Sequence, residues 1–219
     1  MKGPTPAFRV LALLAALLSG VLGGCLGKTG PAEEYLRVLG RSPNCDAAVT
    51  GAPAQVGRQG RITVALKTLK VSDSLGRQAV MLANGRVLTA SQSWYWEAAP
   101  GMLVTQAVLR DINCSGRMAA VWPVRFSTKA AMVLAGQVTA FEVQTRDMHV
   151  RAGVHCQLWD GEESRSLGTR YFEATAPLAG LSAQAIADAG ASVLERLSAD
   201  VRTWVEDAAP AVSKPAQGE

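Results

Sequence analysis

Histidine is nearly absent from this chain: only His149 and His155 occur among 219 residues. Both fall on the outward face of one predicted strand, together with Arg151. Six strand residues span about 20 Å, too far for a shared metal ion. They read as two surface histidines on a sheet. No Gly-x-Ser-x-Gly elbow and no Cys-x-x-Cys pair occurs, so two common catalytic signatures are missing. Asp160, Glu162 and Glu163 sit in turn sequence without the ligand spacing of an EF-hand, which favours a solvated loop over a Ca²⁺ site. No block of Lys and Arg suggests nucleic acid. There is no internal repeat, and no heptad pattern runs past residue 206. The expectation is a protein that is not an enzyme and binds no nucleic acid and no metal.

What is present begins at the N-terminus. Lys2 and Arg9 flank an uncharged apolar run over residues 10–22, and Gly23 and Gly24 lead into Cys25. A secretory signal has this layout, and the run is short for a membrane-spanning helix. Leu22-Gly23-Gly24-Cys25 resembles the bacterial lipobox, in which signal peptidase II cuts before the cysteine after lipid is attached to its sulfur. An ordinary signal, or an anchor helix with an incidental cysteine, is the alternative. The lipobox reading makes residues 1–24 a lipoprotein signal peptide and Cys25 the attachment point of N-acyl and diacylglycerol lipid, with no other cofactor. Each buried acyl CH₂ contributes about 0.8 kcal/mol, so several chains form a near-permanent tether. Leu26, where an Asp would retain the protein at the inner membrane, favours the periplasmic face of the outer membrane.

Twenty-two basic residues face 18 acidic ones; without Lys2 and Arg9 the balance is 20 against 18, so the high pI comes partly from the signal. The remaining 195 residues are enough for one well-cored domain. Besides Cys25 there are Cys45, Cys114 and Cys156. An oxidising periplasm accommodates one pair and leaves one thiol over. Cys45 and Cys114 both lie in polar, turn-like sequence, whereas Cys156 falls in the apolar register of a strand. A Cys45–Cys114 disulfide is the expectation, although spacing does not determine connectivity.

Residues 25–33 read as a flexible tether carrying the lipidated cysteine. Gly27-Lys28-Thr29 is not a P-loop, since Leu22 stands where its first glycine belongs. Tyr35–Leu39 reads as a short strand, residues 40–60 as a loop, and Arg61–Val71 as a strand with a one-residue slip. Asn84-Gly85 between two apolar runs predicts a hairpin through a type I′ turn. Pro100 suits the first turn of a helix whose apolar stripe is Leu103, Val104, Ala107, Val108 and Ile112, closed by Cys114-Ser115-Gly116. Arg117–Pro123 is a further short strand. Ala131–Val143 is a long strand with an irregularity near Thr139; Met148–Leu158 alternates cleanly, and Leu167–Ala174 returns after Asp160-Gly161. A last amphipathic helix runs from Ser182, its N-cap, to Glu206. Residues 34–206 thus form one α+β domain, a single mixed or antiparallel β-sheet with two amphipathic helices packed on one face, and 207–219 a disordered tail.

Trp94, Tyr95 and Trp96 are the candidate partner-contact aromatics, with core and helix-entry packing as the alternative. Alternation puts Tyr95 on the face opposite Trp94 and Trp96. The lipobox, the early Tyr35-Leu36 strand, the Trp96-Glu97 element opening a helix, the long strand pair and the final helix ending near Trp204 together resemble the ABC-type transport auxiliary lipoprotein family. That family carries a Trp-Ala-Glu-Pro-Leu-like element; here it reads Trp96-Glu97-Ala98-Ala99-Pro100-Gly101-Met102, with alanine and glutamate out of the usual order. The resemblance implies a small α+β sandwich, no catalytic residues, and partnership with a mammalian-cell-entry (MCE) type periplasmic protein and its ABC permease and ATPase. Such systems move lipids or other hydrophobic compounds between inner and outer membranes. A structural lipoprotein assisting assembly of an outer-membrane or secretion complex is the second reading, a lipid carrier a third, and a homo-oligomer stays open.

Overall fold

One long strand organises the sheet. The structure, a computed structural model, describes residues 32–40, 61–124 and 129–209. In chain order these give β1 (Glu34–Leu36), β2 (Ile62–Leu66), β3 (Lys70–Val71), β4 (Ala79–Asn84), β5 (Val87–Trp96), α1 (Pro100–Ser115), β6 (Met118–Val121), β7 (Met132–Gln144), β8 (His149–Asp160), β9 (Ser166–Pro177) and α2 (Ala183–Ala208). β7 pairs antiparallel with β8 along its whole length. Along its other edge it takes three short strands in succession, all parallel: β2 at Met132–Leu134, β3 at Gln137–Val138 and β4 at Glu142–Gln144. β6 extends the sheet beyond β2, β5 and then β1 extend it beyond β4, and β9 lies outside β8. The result is a mixed sheet of nine strands with two helices, an α+β fold.

Both helices cover the same face, which collects the apolar half of each alternating strand. Val150, Ala152, Val154, Cys156 and Leu158 of β8 are all buried there, as are Met132, Leu134 and Val138 of β7. The register of β7 shifts between Val138 and Ala140, so Phe141 and Val143 resume the same inward direction. That bulge lies where the strand pattern falters, at Thr139. α1 starts with Pro100 in its first turn and ends on Gly116, whose φ of 70° is left-handed. It approaches the chain between β2 and β3 very closely. A Cβ on Gly101 would lie 2.7 Å from the Leu69 carbonyl oxygen, and Thr105 Oγ1 accepts from Leu69 N at 3.1 Å while donating to Gly101 O. α2 is capped by Ser182, whose hydroxyl accepts from Ala185 N, and it buries Ile186, Val193, Leu194, Leu197, Val201 and Val205. Trp204 lies beside that stripe, half-buried against Phe172 of β9. Where the helices meet β6, Arg202 binds Asp111 and Glu206, and Arg117 binds Glu206.

Several local expectations are corrected. The Arg61–Val71 strand is not slipped but split into β2 and β3, because residues 67–69 turn aside to meet α1. The hairpin turn is centred one residue later, on Gly85-Arg86, with Asn84 paired to Val87. Only Gly85 of that pair has a positive φ, 61°, as the first central position of a type II′ turn demands. β5 runs unbroken through the polar Ser91-Gln92-Ser93; the register shift against β4 falls here, and the Ser91 hydroxyl accepts from the Ser93 and Trp94 amides. Residues 207–209 do not belong to a disordered tail. α2 continues to Ala208, Ala209 is buried, and Pro210 follows, which cannot extend a helix. The signal peptide of residues 1–24, Cys25, the tether up to residue 31, Cys45 with its loop, and the tail from residue 210 lie outside the described residues.

Gly101→Ala should destabilise the fold even though alanine is favoured over glycine by about 1 kcal/mol inside a helix. The new Cβ would meet backbone, which has nowhere to retreat. Urea unfolding should show a lower midpoint than the parent; an unchanged or raised midpoint would contradict this packing.

Candidate functional site

The three consecutive aromatics of β5 have three different fates. Trp96 is fully buried. Its ring lies against Phe141 of β7, centroids 4.6 Å apart, and a Cβ added to Gly190 of α2 would come within 3.1 Å of it. It is therefore a wedge between sheet and helix, and it is withdrawn from the partner-contact group: alternation plus the closeness of α2 leaves it no route to the surface. Its Nε1 finds no hydrogen-bond acceptor among the described residues. Trp94, on the same face but two residues nearer the β4–β5 turn, is half-buried and donates from Nε1 to Glu34 Oε2 at 3.0 Å. Tyr95 points to the other face and stacks on Tyr35, ring centroids 5.5 Å apart. Tyr35 is 60% exposed, and the Glu33 carboxylate beside it raises its phenol above the usual value. The exposed member of this aromatic corner is thus Tyr35. Pairing of β1 with β5, a contact sixty residues apart in sequence, creates it.

Glu97, directly after the wedge, ties β1 to the body of the fold. Its Oε1 accepts from the backbone N–H groups of both Val38 and Leu39 at 2.8 Å, while its own N–H donates to Leu36 O. Gln78 donates to the Glu97 carbonyl from the other side. The Trp96-Glu97 pair therefore does two jobs at one point: the ring fastens β5 to α2, and the carboxylate fastens the chain leaving β1.

The sheet face away from the helices carries polar groups at one end and a cleft at the other. Glu142 is only 4% exposed on this face, and its Oε1 accepts from Arg151 at 2.8 Å and from Gln144 at 2.7 Å. Arg151 reaches on to Glu173, which also accepts from the Tyr171 hydroxyl at 2.7 Å. The bond to Glu142 raises the Arg151 guanidinium further, so the group stays charged. At the opposite end Ala65, Val133, Trp122, Pro123 and Val124 line a cleft of about 530 Å³. Trp122 precedes a cis proline and donates from its indole N–H to Thr68 Oγ1 at 3.0 Å. A Lys67–Glu163 ion pair stands at the rim. The size and apolar lining suit a modest hydrophobic group. Sequence periodicity gave no sign of this cleft, because its walls come from four separate stretches of chain.

The remaining sequence candidates fall apart in space or bind locally. His149 and His155 lie at separate positions along β8, and no cluster of metal-ligating side chains occurs among the described residues. Asp160 caps its own turn, accepting from the Ser164 amide and hydroxyl, and the hydroxyl contact holds its carboxyl below the usual range. Cys114 is disulfide-bonded, while Cys156 is a free, buried thiol pushed up to about 12 by burial.

Set against known proteins, residues 46–202 match the family described as the ABC-type transport auxiliary lipoprotein component. Among solved structures, a protein from Xanthomonas campestris superposes with a TM-score of 0.68 at 14% identity, covering 83% of this chain and 99% of that one. A second, an uncharacterized protein, gives 0.61 at 12% identity over 80% of this chain and 99% of that one. At these identities the likeness is one of fold. No curated protein matches the chain.

If Glu97 holds the exit of β1, Glu97→Ala should cost about 1–3 kcal/mol, the usual penalty for orphaning partly buried backbone donors. Hydrogen exchange should accelerate first at the Val38 and Leu39 amides. Protection unchanged at both would show that the carboxylate is not their anchor.

Proposed function

The chain belongs to the ABC-type transport auxiliary lipoprotein component family, and from that premise we propose that it is the non-catalytic, lipid-anchored periplasmic subunit of an ABC/MCE-type system. That system would move lipids or other hydrophobic compounds between the inner and outer membranes. The observation that carries the reading is the family match over residues 46–202. Cys25 bears the lipid, and Leu26 directs the protein to the periplasmic face of the outer membrane. The partners are an MCE-type protein, its permease and its ATPase, met through Trp94, Tyr95 and the neighbouring exposed Tyr35. A homo-oligomer is compatible with this arrangement.

The lipid anchor in turn assigns the disulfide. Cys114 is disulfide-bonded and Cys156 is not, so its partner is Cys25 or Cys45. A lipid thioether consumes the Cys25 sulfur, which leaves Cys45–Cys114 as the bridge.

Pull-down of the tagged protein from its native membranes in mild detergent should bring down an MCE-type protein with permease and ATPase. Recovery of secretion or outer-membrane assembly components in their place would overturn the transport reading in favour of an assembly lipoprotein. Cys25→Ala should release the protein from membranes and abolish its function; a variant still bound and active would remove the tether from the account. Thiol titration of the native protein should find no reactive cysteine, and denaturation without reductant should reveal one, Cys156. Three thiols would exclude the disulfide.

A further inference from the structure

Chain direction decides which end of the sheet the start of β1 faces. β1 runs parallel to β5, with Tyr35 opposite Tyr95, and β5 begins at the β4–β5 turn. β1 therefore begins on the side of the sheet nearer that turn, away from the cleft at Trp122. From the level of Tyr95, opposite Ala79, to the tip, β4 advances five residues, about 17 Å. Ten residues separate Tyr35 from Cys25; as a coil they span about 17 Å and fully extended about 35 Å. Thus a membrane holding the Cys25 lipid lies within reach of the hairpin tip at the ordinary extension of the linker.

The tip has the composition that a lipid surface would meet. Val87 is 65% and Leu88 43% exposed, with Arg86 exposed beside them. The β7–β8 turn lies alongside, since Thr145 donates from both its amide and its hydroxyl to Ala83 O, and it exposes Arg146. The connection from β9 to α2 comes to the same end, with Leu178 N donating to Met148 O, and it carries Leu181 at 50% exposure. Three of the six large hydrophobic residues exposed among the described residues therefore gather at this end, flanked by Arg86 and Arg146, with the exposed Asp147 next to the latter. Apolar side chains with basic neighbours are what an anionic membrane interface binds.

We propose that the end of the sheet formed by Arg86, Val87, Leu88, Arg146 and Leu181 is a second membrane contact, seated on the anionic headgroup surface of the leaflet that holds the lipid. It orients the domain upright, with the Trp122 cleft farthest from the bilayer. The inference rests on the lipidation of Cys25.

The test uses the acylated full chain purified from its membranes and reconstituted into vesicles of phosphatidylethanolamine and phosphatidylglycerol. Val87→Cys supplies an exposed labelling site, since Cys25 is blocked by lipid, Cys114 is bridged and Cys156 is buried. Glu162→Cys, in the exposed β8–β9 turn at the far end, is the control. An environment-sensitive fluorophore at position 87 should shift to the blue and be quenched at least threefold more by a lipid-borne quencher than the same fluorophore at position 162. If the protein floats with the vesicles but both positions report water equally, the membrane contact is wrong and the anchor stands. If the protein does not float, the anchor reading falls and this inference falls with it.

Discussion

The Trp96 ring, held between Phe141 of the central strand and Gly190 of the C-terminal helix, is the contact on which the architecture turns. A large planar side chain there needs a gap in the facing helix, and only a residue without a side chain supplies it: a Cβ on Gly190 would crowd both the indole and Val38. The same spot joins elements from the start, middle and end of the chain. Because Glu97 follows directly and catches the Val38 and Leu39 amides, losing the wedge would also slacken β1 and the aromatic corner it completes. The indole N–H is left without an acceptor among the described residues. The ring is thus kept for its shape and not for its polar handle.

A division of labour follows from putting both helices on one side. The covered face carries the cohesion, with its buried strand residues, the Arg202–Asp111 pair joining the two helices and the Arg117–Glu206 pair joining α2 to the start of β6. The uncovered face must satisfy itself, and it does so through the Glu142–Arg151–Glu173–Tyr171 chain, in which every member has a partner. At the Trp122 end that face becomes apolar and concave. Residues that hold the fold and residues available for contact are therefore largely separate sets, which leaves the surface free to vary while the wedge and its neighbours cannot.

Local rules made much of this readable. Proline at the start of α1, glycine after its end, the N-cap at Ser182 and the apolar stripes of both helices each depend on residues within a few positions of one another. The stutter at Thr139 was legible for the same reason, since a bulge disturbs alternation on the spot. The turn after Asn84 falls one residue later than the Asn-Gly signal suggests, because the positive φ of Gly85 suits either central position of a hairpin turn and the β4–β5 register decides which it takes. What stayed hidden is non-local. Nothing in Tyr35 announces Tyr95, and nothing in Ala65 or Val133 announces Trp122; these neighbours exist only once strands far apart in sequence find their register. Buried Trp96 and accessible Tyr35 illustrate the point, since aromatic residues look alike until burial sorts them.

The way three short parallel strands share one edge of β7 also sets an order of events. The pair β2–β6 and the group β4–β5–β1 have no strand pairing with each other except through β7, which begins only at Met132. A chain emerging from its N-terminus therefore holds islands of secondary structure that wait, unjoined, for a strand synthesised late. Parallel pairings of high sequence separation are slow to form, so the first half remains open and pliable well after it is made. Truncation before β7 would yield no smaller folded piece, and a single event, the arrival and zipping of β7 with β8, commits the whole molecule.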